Sequence, residues 1–231
     1  MSRKSMSSLA ICLSLPALLA AAPASADLAL SQLVVELKPG EGRAADIEIY
    51  NDSEERSFVS VEPREIVDAG RDQERPRLSP DPEQLGLLVS PRRLVIEPRQ
   101  RRRLRIAVIG PIPTQERVYR VTVKPVSGEV TGTETGLKLL VGYDLLVLVR
   151  PPAGRPRLDI VRGDNALIIT NQGNSSVELA EGKQCNEKGQ DCQRLPSRRL
   201  YSGASWRQQL PTRGSGEYRV RTADGWSTLK F

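Results

Sequence analysis

Residues 138–150 read Lys-Leu-Leu-Val-Gly-Tyr-Asp-Leu-Leu-Val-Leu-Val-Arg and form the longest β-prone run outside the extreme N-terminus. Pro151 and Pro152 stop the run, since proline has no N–H to give a strand ladder. Counted from Leu137, every second residue is apolar or aromatic: Leu137, Leu139, Val141, Tyr143, Leu145, Val147 and Val149. A period of two is the strand period, so these side chains are expected on one face. At about 3.3 Å per residue the strand would exceed roughly 40 Å, more than an ordinary sheet uses. A strand longer than its sheet leaves apolar side chains for something other than its own core.

The rest of the chain agrees with a β architecture. It has 231 residues, 39% hydrophobic and 27% charged, enough for one or two domains with real cores. Aromatic residues make up only 4%, so Leu, Val and Ile must fill those cores. Seventeen Pro and eighteen Gly punctuate short apolar runs, and long helical periodicity is confined to the N-terminus. There, Arg3 and Lys4 precede an apolar stretch from Leu9 to Ala22, and Ala24-Ser25-Ala26 has the small residues of a cleavage site. Residues 1–26 therefore read as a secretion signal, with the mature chain starting near Asp27. An uncleaved anchor is disfavoured, because the apolar stretch is too short to span a membrane. Cys12 lies inside the apolar stretch, not at the cleavage point, so a lipid anchor is not expected and Cys12 leaves with the signal. Losing Arg3 and Lys4 lowers the formal charge from +6 to +4.

Strands are expected over Leu28–Leu37, Ala45–Tyr50, Phe58–Val61, Leu85–Val89, Leu94–Ile96, Arg103–Ile109 and Arg117–Val126, ahead of the long run. Residues 71–84 are polar, with Pro76, Pro80 and Pro82, and read as a mobile loop. Seven or eight short strands in about 120 residues are the pattern of an immunoglobulin-like sandwich. Residues 151–156 form a stiff Pro-rich linker. Beyond it, Leu158–Val161, Ala166–Asn171, Ser176–Ala180, Arg199–Tyr201, Ser205–Leu210, Tyr218–Arg221 and Trp226–Phe231 suggest a second, smaller sandwich. The expected organisation is thus signal 1–26, first domain 27–151 and second domain 152–231. Cys185 and Cys192 are expected to form a local disulfide, a useful staple for so small a domain.

Catalytic and cofactor signatures are missing. The chain has no His, which excludes imidazole bases, Ser-His-Asp triads and His-ligated zinc. There is no G-x-S-x-G elbow, and Gly132-Thr-Glu-Thr-Gly136-Leu-Lys138 has the wrong spacing for a phosphate loop. No enzyme activity, cofactor or metal is expected. The run Arg99-Gln-Arg-Arg-Arg-Leu-Arg105 could suggest nucleic acid, but an exported protein meets little of it; a strand with one solvated basic face is the preferred reading. Asn174-Ser-Ser176 matches a glycosylation sequon and is read as a loop.

Four segments in series then carry a resemblance: Gly86-Leu-Leu-Val-Ser-Pro91, Leu94-Val-Ile-Glu-Pro98, Leu104-Arg-Ile106 and Glu116-Arg-Val-Tyr-Arg-Val121, closed by Leu148-Val-Arg-Pro151. Over Leu28 to about Pro151 the chain resembles the first domain of periplasmic pilus chaperones of the chaperone/usher pathway. The second half, with Asn171-Gln-Gly-Asn174 and its two cysteines, is more similar to the alternate (alpha-fimbrial) branch than to the PapD-type branch. The resemblance implies two immunoglobulin-like β-sandwich domains in a boomerang arrangement, without catalysis or ATP. Such chaperones lend the last strand of their first domain to pilin subunits that lack a strand, a case of β-strand addition. Spacing back from Arg150 makes Leu137, Leu139 and Val141 the lent residues, with Tyr143 next, worth about 6–12 kcal/mol of apolar burial before ordering costs. The alternative is that this row simply fills the domain's own core, as Leu145–Val149 must. Family spacing also places Glu116, Arg150 and Asp224 in an interdomain ion-pair network.

One departure stands out. PapD-type chaperones hold the pilin's terminal carboxylate with an Arg in the first strand and a Lys in the lent strand, and the matching positions here are about Val35 and Leu146. Arg120 and Arg105 are the replacement candidates, since a guanidinium binds a carboxylate bidentately. The partners implied are pilin subunits and an outer-membrane usher, in the periplasm. An uncovered edge would also let the free protein cap itself as a homodimer. Two other readings compete: a structural or adhesive fimbrial subunit, for which Asp27–Gln32 is a short donor extension, and a periplasmic binding or adaptor module with complete sandwiches.

Overall fold

The computed structural model describes residues 28–126 and 140–231. The chain opens with β1 (Leu28–Leu30), β2 (Val34–Leu37), β3 (Ala44–Asn51), β4 (Ser57–Val67) and β5 (Arg75–Arg77). A single turn, α1 (Pro82–Leu85), leads to β6 (Leu87–Ser90), β7 (Arg93–Ile96), β8 (Arg101–Val108), β9 (Arg117–Val126) and β10 (Tyr143–Val149). One sheet has the order β1-β3-β8-β6; the facing sheet runs β2-β10-β9-β4, with β5 and β7 sharing the far edge of β4. Inward residues of both sheets alternate with outward ones and enclose one aliphatic core, including Ile47, Ile49, Leu104, Ile106, Val121, Leu145 and Val147.

The second set of strands is β11 (Leu158–Arg162), β12 (Ala166–Asn171), β13 (Val177–Gln184), β14 (Gln193–Leu195), β15 (Arg198–Leu200), β16 (Ser205–Gln209), β17 (Gly216–Thr222) and β18 (Gly225–Lys230). A sheet β11-β12-β16 faces a sheet β14-β13-β17-β18, with β15 also on β13. Its core holds Leu167, Ile169, Leu179, Tyr218 and Val220. Cys185 and Cys192 are disulfide-bonded where the β13–β14 hairpin turns. The fold is all-β, two immunoglobulin-like sandwiches in series. In each, an asparagine at a strand end is fully buried and ties a corner. Asn51 Nδ2 donates to Glu55 O at 2.7 Å and Ile96 O at 3.0 Å; Asn171 Nδ2 donates to Ser175 O at 2.8 Å and Leu200 O at 3.0 Å.

Several sequence expectations change. Leu28–Leu37 is not one strand. β1 pairs with β3 in one sheet, the chain crosses at residues 31–33, and β2 pairs in parallel with β10 in the other. The polar stretch 71–84 is not all loop. It contains β5 and α1, whose N-terminus is capped by Asp81, the side chain accepting from Glu83 N at 2.9 Å. Gly86 closes α1 in the left-handed conformation (φ 80°), so the strand expected from Leu85 begins at Leu87. Among the described residues of the long run, Leu140, Val141 and Gly142 are not in a strand and the β10 ladder begins at Tyr143. The basic run on β8 is not simply solvated. Arg101, Arg103 and Arg105 meet Glu48 and Asp46 on β3, and Arg99 meets Asp52 and Glu54 beyond it.

The two sandwiches share a third cluster. Ile66, Val118 and Leu148 lie side by side on the outer face of β4, β9 and β10, and with Ala69 and Leu146 they pack against Tyr201 of the second sandwich. The turn after β4 presses into the same place. A Cβ on Gly70 would lie 3.1 Å from the Tyr201 ring and 3.2 Å from Ala204, at a φ of 73°, so glycine suits both the space and the conformation. Arg71 reaches across to donate to Ser202 O at 3.0 Å.

Candidate functional site

β10 is where the first sandwich has a partly uncovered edge among the described residues. On one side it pairs with β9 along its whole length, from Tyr143↔Val123 to Val149↔Arg117. On the other it pairs with β2 only from Leu146↔Val34 to Val149↔Leu37. Among the described residues, Tyr143, Asp144 and Leu145 thus have a strand on one edge and none on the other. Leu140, Val141 and Gly142 lead into this edge outside any strand. Val141 is 50% exposed, and Leu33 and Val34, where β2 begins, are 50% and 41% exposed. An unpaired row of N–H and C=O groups beside apolar side chains is a template for an added strand.

The outer face of this sheet is banded along its strands. Nearest the second sandwich is the apolar row Ile66–Val118–Leu148. The next row is Arg64–Arg120–Leu146–Val34, and the one after is Glu62–Thr122–Asp144. Arg64 Nη2 donates to both Asp144 oxygens at 3.0 Å, and its Nη1 to Thr122 Oγ1 at 2.6 Å. Arg120 lies further from the same carboxylate, Nε to Oδ2 3.9 Å. A cavity of about 310 Å³ opens here, lined by Arg64, Ile66, Glu74, Val118, Arg120 and Tyr201 among others. Burial raises the Tyr201 phenol above its usual range, against the opposing effect of the Arg120 charge.

At the other end of β10 the chain enters the elbow between sandwiches. Arg150, its side chain 4% exposed, donates from Nη1 to Glu116 Oε2 and to Ser176 O and Oγ at 3.1 and 3.2 Å. Its Nη2 lies 3.2 Å from Glu36 Oε2. Ser176 N donates to Glu116 Oε2 at 3.2 Å, and Glu116 N to Asn174 O at 2.8 Å. Glu116 Oε1 is buried with no hydrogen-bond partner among the described residues. Asn174, in the sequon match read above as a loop, is a clamp: Nδ2 donates to Thr114 O and Ala153 O, both at 3.0 Å, and Oδ1 accepts from Arg155 N at 2.7 Å.

The expected site residues therefore divide. Glu116 and Arg150 come together, but Asp224 is not with them; it sits exposed in the β17–β18 turn, its N–H bonded to Thr222 Oγ1. Glu36 takes the place expected for it. Arg105 is not on the bare edge's sheet: it lies on β8 and is held bidentately by Asp46 at 2.8 and 3.0 Å. That hydrogen bond keeps the Asp46 carboxyl below its usual range. Arg120 does face the cavity beside β10. Leu137 and Leu139 lie outside the described residues. Tyr143 turns inward: it packs on the domain's own core and donates from Oη to Leu28 O at 2.5 Å. Arg64, Thr122, Asp144, Glu36 and Tyr201 were missed. Their roles come from strand register and from the second sandwich, which no local pattern records.

Solved structures share this fold. The chain is similar to the class 5 fimbriae chaperone CfaA at 20% identity and TM-score 0.66, covering 88% of this chain and 98% of that one. A chain of the Salmonella enterica SafA pilin–SafB chaperone complex matches at 21% identity and TM-score 0.65, over 91% and 98%. The E. coli chaperone DraB matches at 21% and 0.61, over 88% and 94%. No protein-family model matches the chain, and no curated protein matches its sequence. At these identities the likeness establishes the fold.

Proposed function

We propose that this chain is a periplasmic chaperone for pilus subunits. It lends the distal part of its last first-domain strand to a subunit whose own sandwich lacks one, keeps that subunit from aggregating, and passes it to an outer-membrane usher. The observation that carries this reading is the edge of β10 left bare among the described residues, where pairing with β2 starts only at Leu146. The fold it shares with fimbrial chaperones, one of them solved in complex with a pilin, supports it. In this reading the signal ends at Ala26, the first domain runs 27–151 and the second 152–231. Leu137, Leu139 and Val141 enter the subunit's groove; Tyr143 stays at home. Arg120, backed by Arg64, receives the subunit's terminal carboxylate in place of the cations missing at Val35 and Leu146. A fimbrial subunit waiting for a strand is a poorer reading, because both sandwiches enclose cores from their own strands.

The test is co-expression with the pilin of the same system. The unaltered chain should co-purify with pilin one to one. Leu139→Arg or Val141→Arg should lose the pilin, and Val141→Arg should melt as before, since a substitution at an exposed site changes stability by no more than about 0.5 kcal/mol. Pilin recovery at the unaltered level with both variants overturns strand donation.

A further inference from the structure

Arg64 and Arg120 stand directly opposite each other on β4 and β9. Two like charges in that position repel unless an anion is shared. Asp144, on the lent strand itself, is that anion. Arg64 is hydrogen-bonded to Asp144 and to Thr122, and the Thr122 hydroxyl donates on to Asp144 Oδ1 at 2.9 Å. Arg120 is not: its Nε stands 3.9 Å from Asp144, beyond hydrogen-bond reach, and no other carboxylate pairs with it among the described residues. The other acid at the cavity, Glu74, is occupied locally, its Oε2 accepting from Gly70 N at 2.6 Å. Two guanidinium groups thus share one carboxylate beside an open cavity.

We propose that Asp144 is a resident stand-in for the incoming carboxylate. This rests on the reading of Arg120 and Arg64 as the subunit's carboxylate anchor. With the cavity empty, Asp144 satisfies Arg64 and partly neutralises Arg120. An arriving terminal carboxylate takes the free fork of Arg120 while a second carboxylate lies a few ångströms away. The mutual repulsion keeps the anchor weak. For a chaperone that must surrender its client, a weak anchor allows release without an energy source. Because Asp144 is carried on β10, movement of the lent strand during hand-over also shifts the balance of charge at the anchor.

The test uses the full mature chain and a small probe, N-acetyl-leucyl-phenylalanine as free acid and as C-terminal amide, titrated by two-dimensional NMR. Asp144→Asn should tighten the free acid about fivefold, the scale of one partly exposed charge interaction, and leave the amide unchanged. Asp144→Ser should do the same and serves if the asparagine variant folds poorly. Adding Arg120→Gln to either should remove the gain. Unchanged or weaker binding of the free acid in both Asp144 variants overturns the stand-in, and so does a gain for acid and amide alike. Strand donation is judged separately, by pilin recovery with Leu139→Arg. Loss of the charge effect here with normal dependence on Leu139 would reject the stand-in alone.

Discussion

The two ends of β10 carry the same alternating pattern and meet opposite fates. From Leu146 to Val149 every residue is buried, both edges are paired, and both faces are covered, one by the sandwich core and the other by the cluster around Tyr201. From Tyr143 to Leu145 one edge is bare among the described residues, Val141 just ahead of it is half exposed, and Asp144 points outward to arginines. Periodicity of side chains therefore reports which way a strand faces, not what lies opposite. The distinction is made by two elements remote in sequence. β2 covers the edge, and the second sandwich covers the outer face. A chaperone of the proposed kind needs such a strand, rigid at one end and available at the other.

Breaking the buried end should have the largest effect. Arg150 is the sole cation paired with both Glu116 and Glu36 among the described residues. Arg150→Ala leaves the little-exposed carboxylates of Glu116 and Glu36 without their shared cation. Removing one partner of a buried pair costs about 3–5 kcal/mol, and urea denaturation should read that loss. A loss below about 1 kcal/mol would mean that water reaches the elbow and that the two ends of β10 differ less than their burial suggests. Leu148→Ala is next. Its side chain is fully buried in the cluster shared with Tyr201, and the deletion should cost about 2–4 kcal/mol. Small-angle scattering should show a broader distribution of shapes for this variant, because the lost contact joins the two sandwiches.

Part of this contrast was open to a reading of the sequence. Leu145-Leu-Val-Leu-Val149 is an unbroken apolar run, the mark of a strand covered on both faces, whereas Gly142 and Asp144 interrupt the distal half. Reading only the period of two hides that signal. Most strands were legible from alternation and from Pro and Gly punctuation, and Glu116 with Arg150 from family spacing. The turn α1 carried legible end signals in Asp81, Pro82 and Gly86, but four residues are too few for a helical period. The anchor region was not legible. Arg64, Thr122 and Asp144 come from three strands, and only the register of β4, β9 and β10 sets them on one face. Family spacing failed at Asp224 because the cation it would serve is already paired with Glu36, a residue of β2.

The smallest expected effect locates the boundary between the two ends. Tyr143 is the first residue of β10, in phase with Leu139 and Val141, so pattern alone assigns it to the lent row. Its hydroxyl instead donates to Leu28 O, bridging β10 to the edge strand of the opposite sheet at the mouth of the sandwich. Tyr143→Phe keeps the ring and removes that bond, which should cost about 1 kcal/mol in thermal or urea unfolding. Pilin recovery should stay at the unaltered level, because the ring remains packed on the chain's own core. If the variant is as stable as the parent yet loses pilin, Tyr143 belongs to the client and the lent segment extends one strand step further toward the elbow. Stability loss with normal recovery puts the boundary between Val141 and Tyr143, where the inward ring closes the chain's own fold.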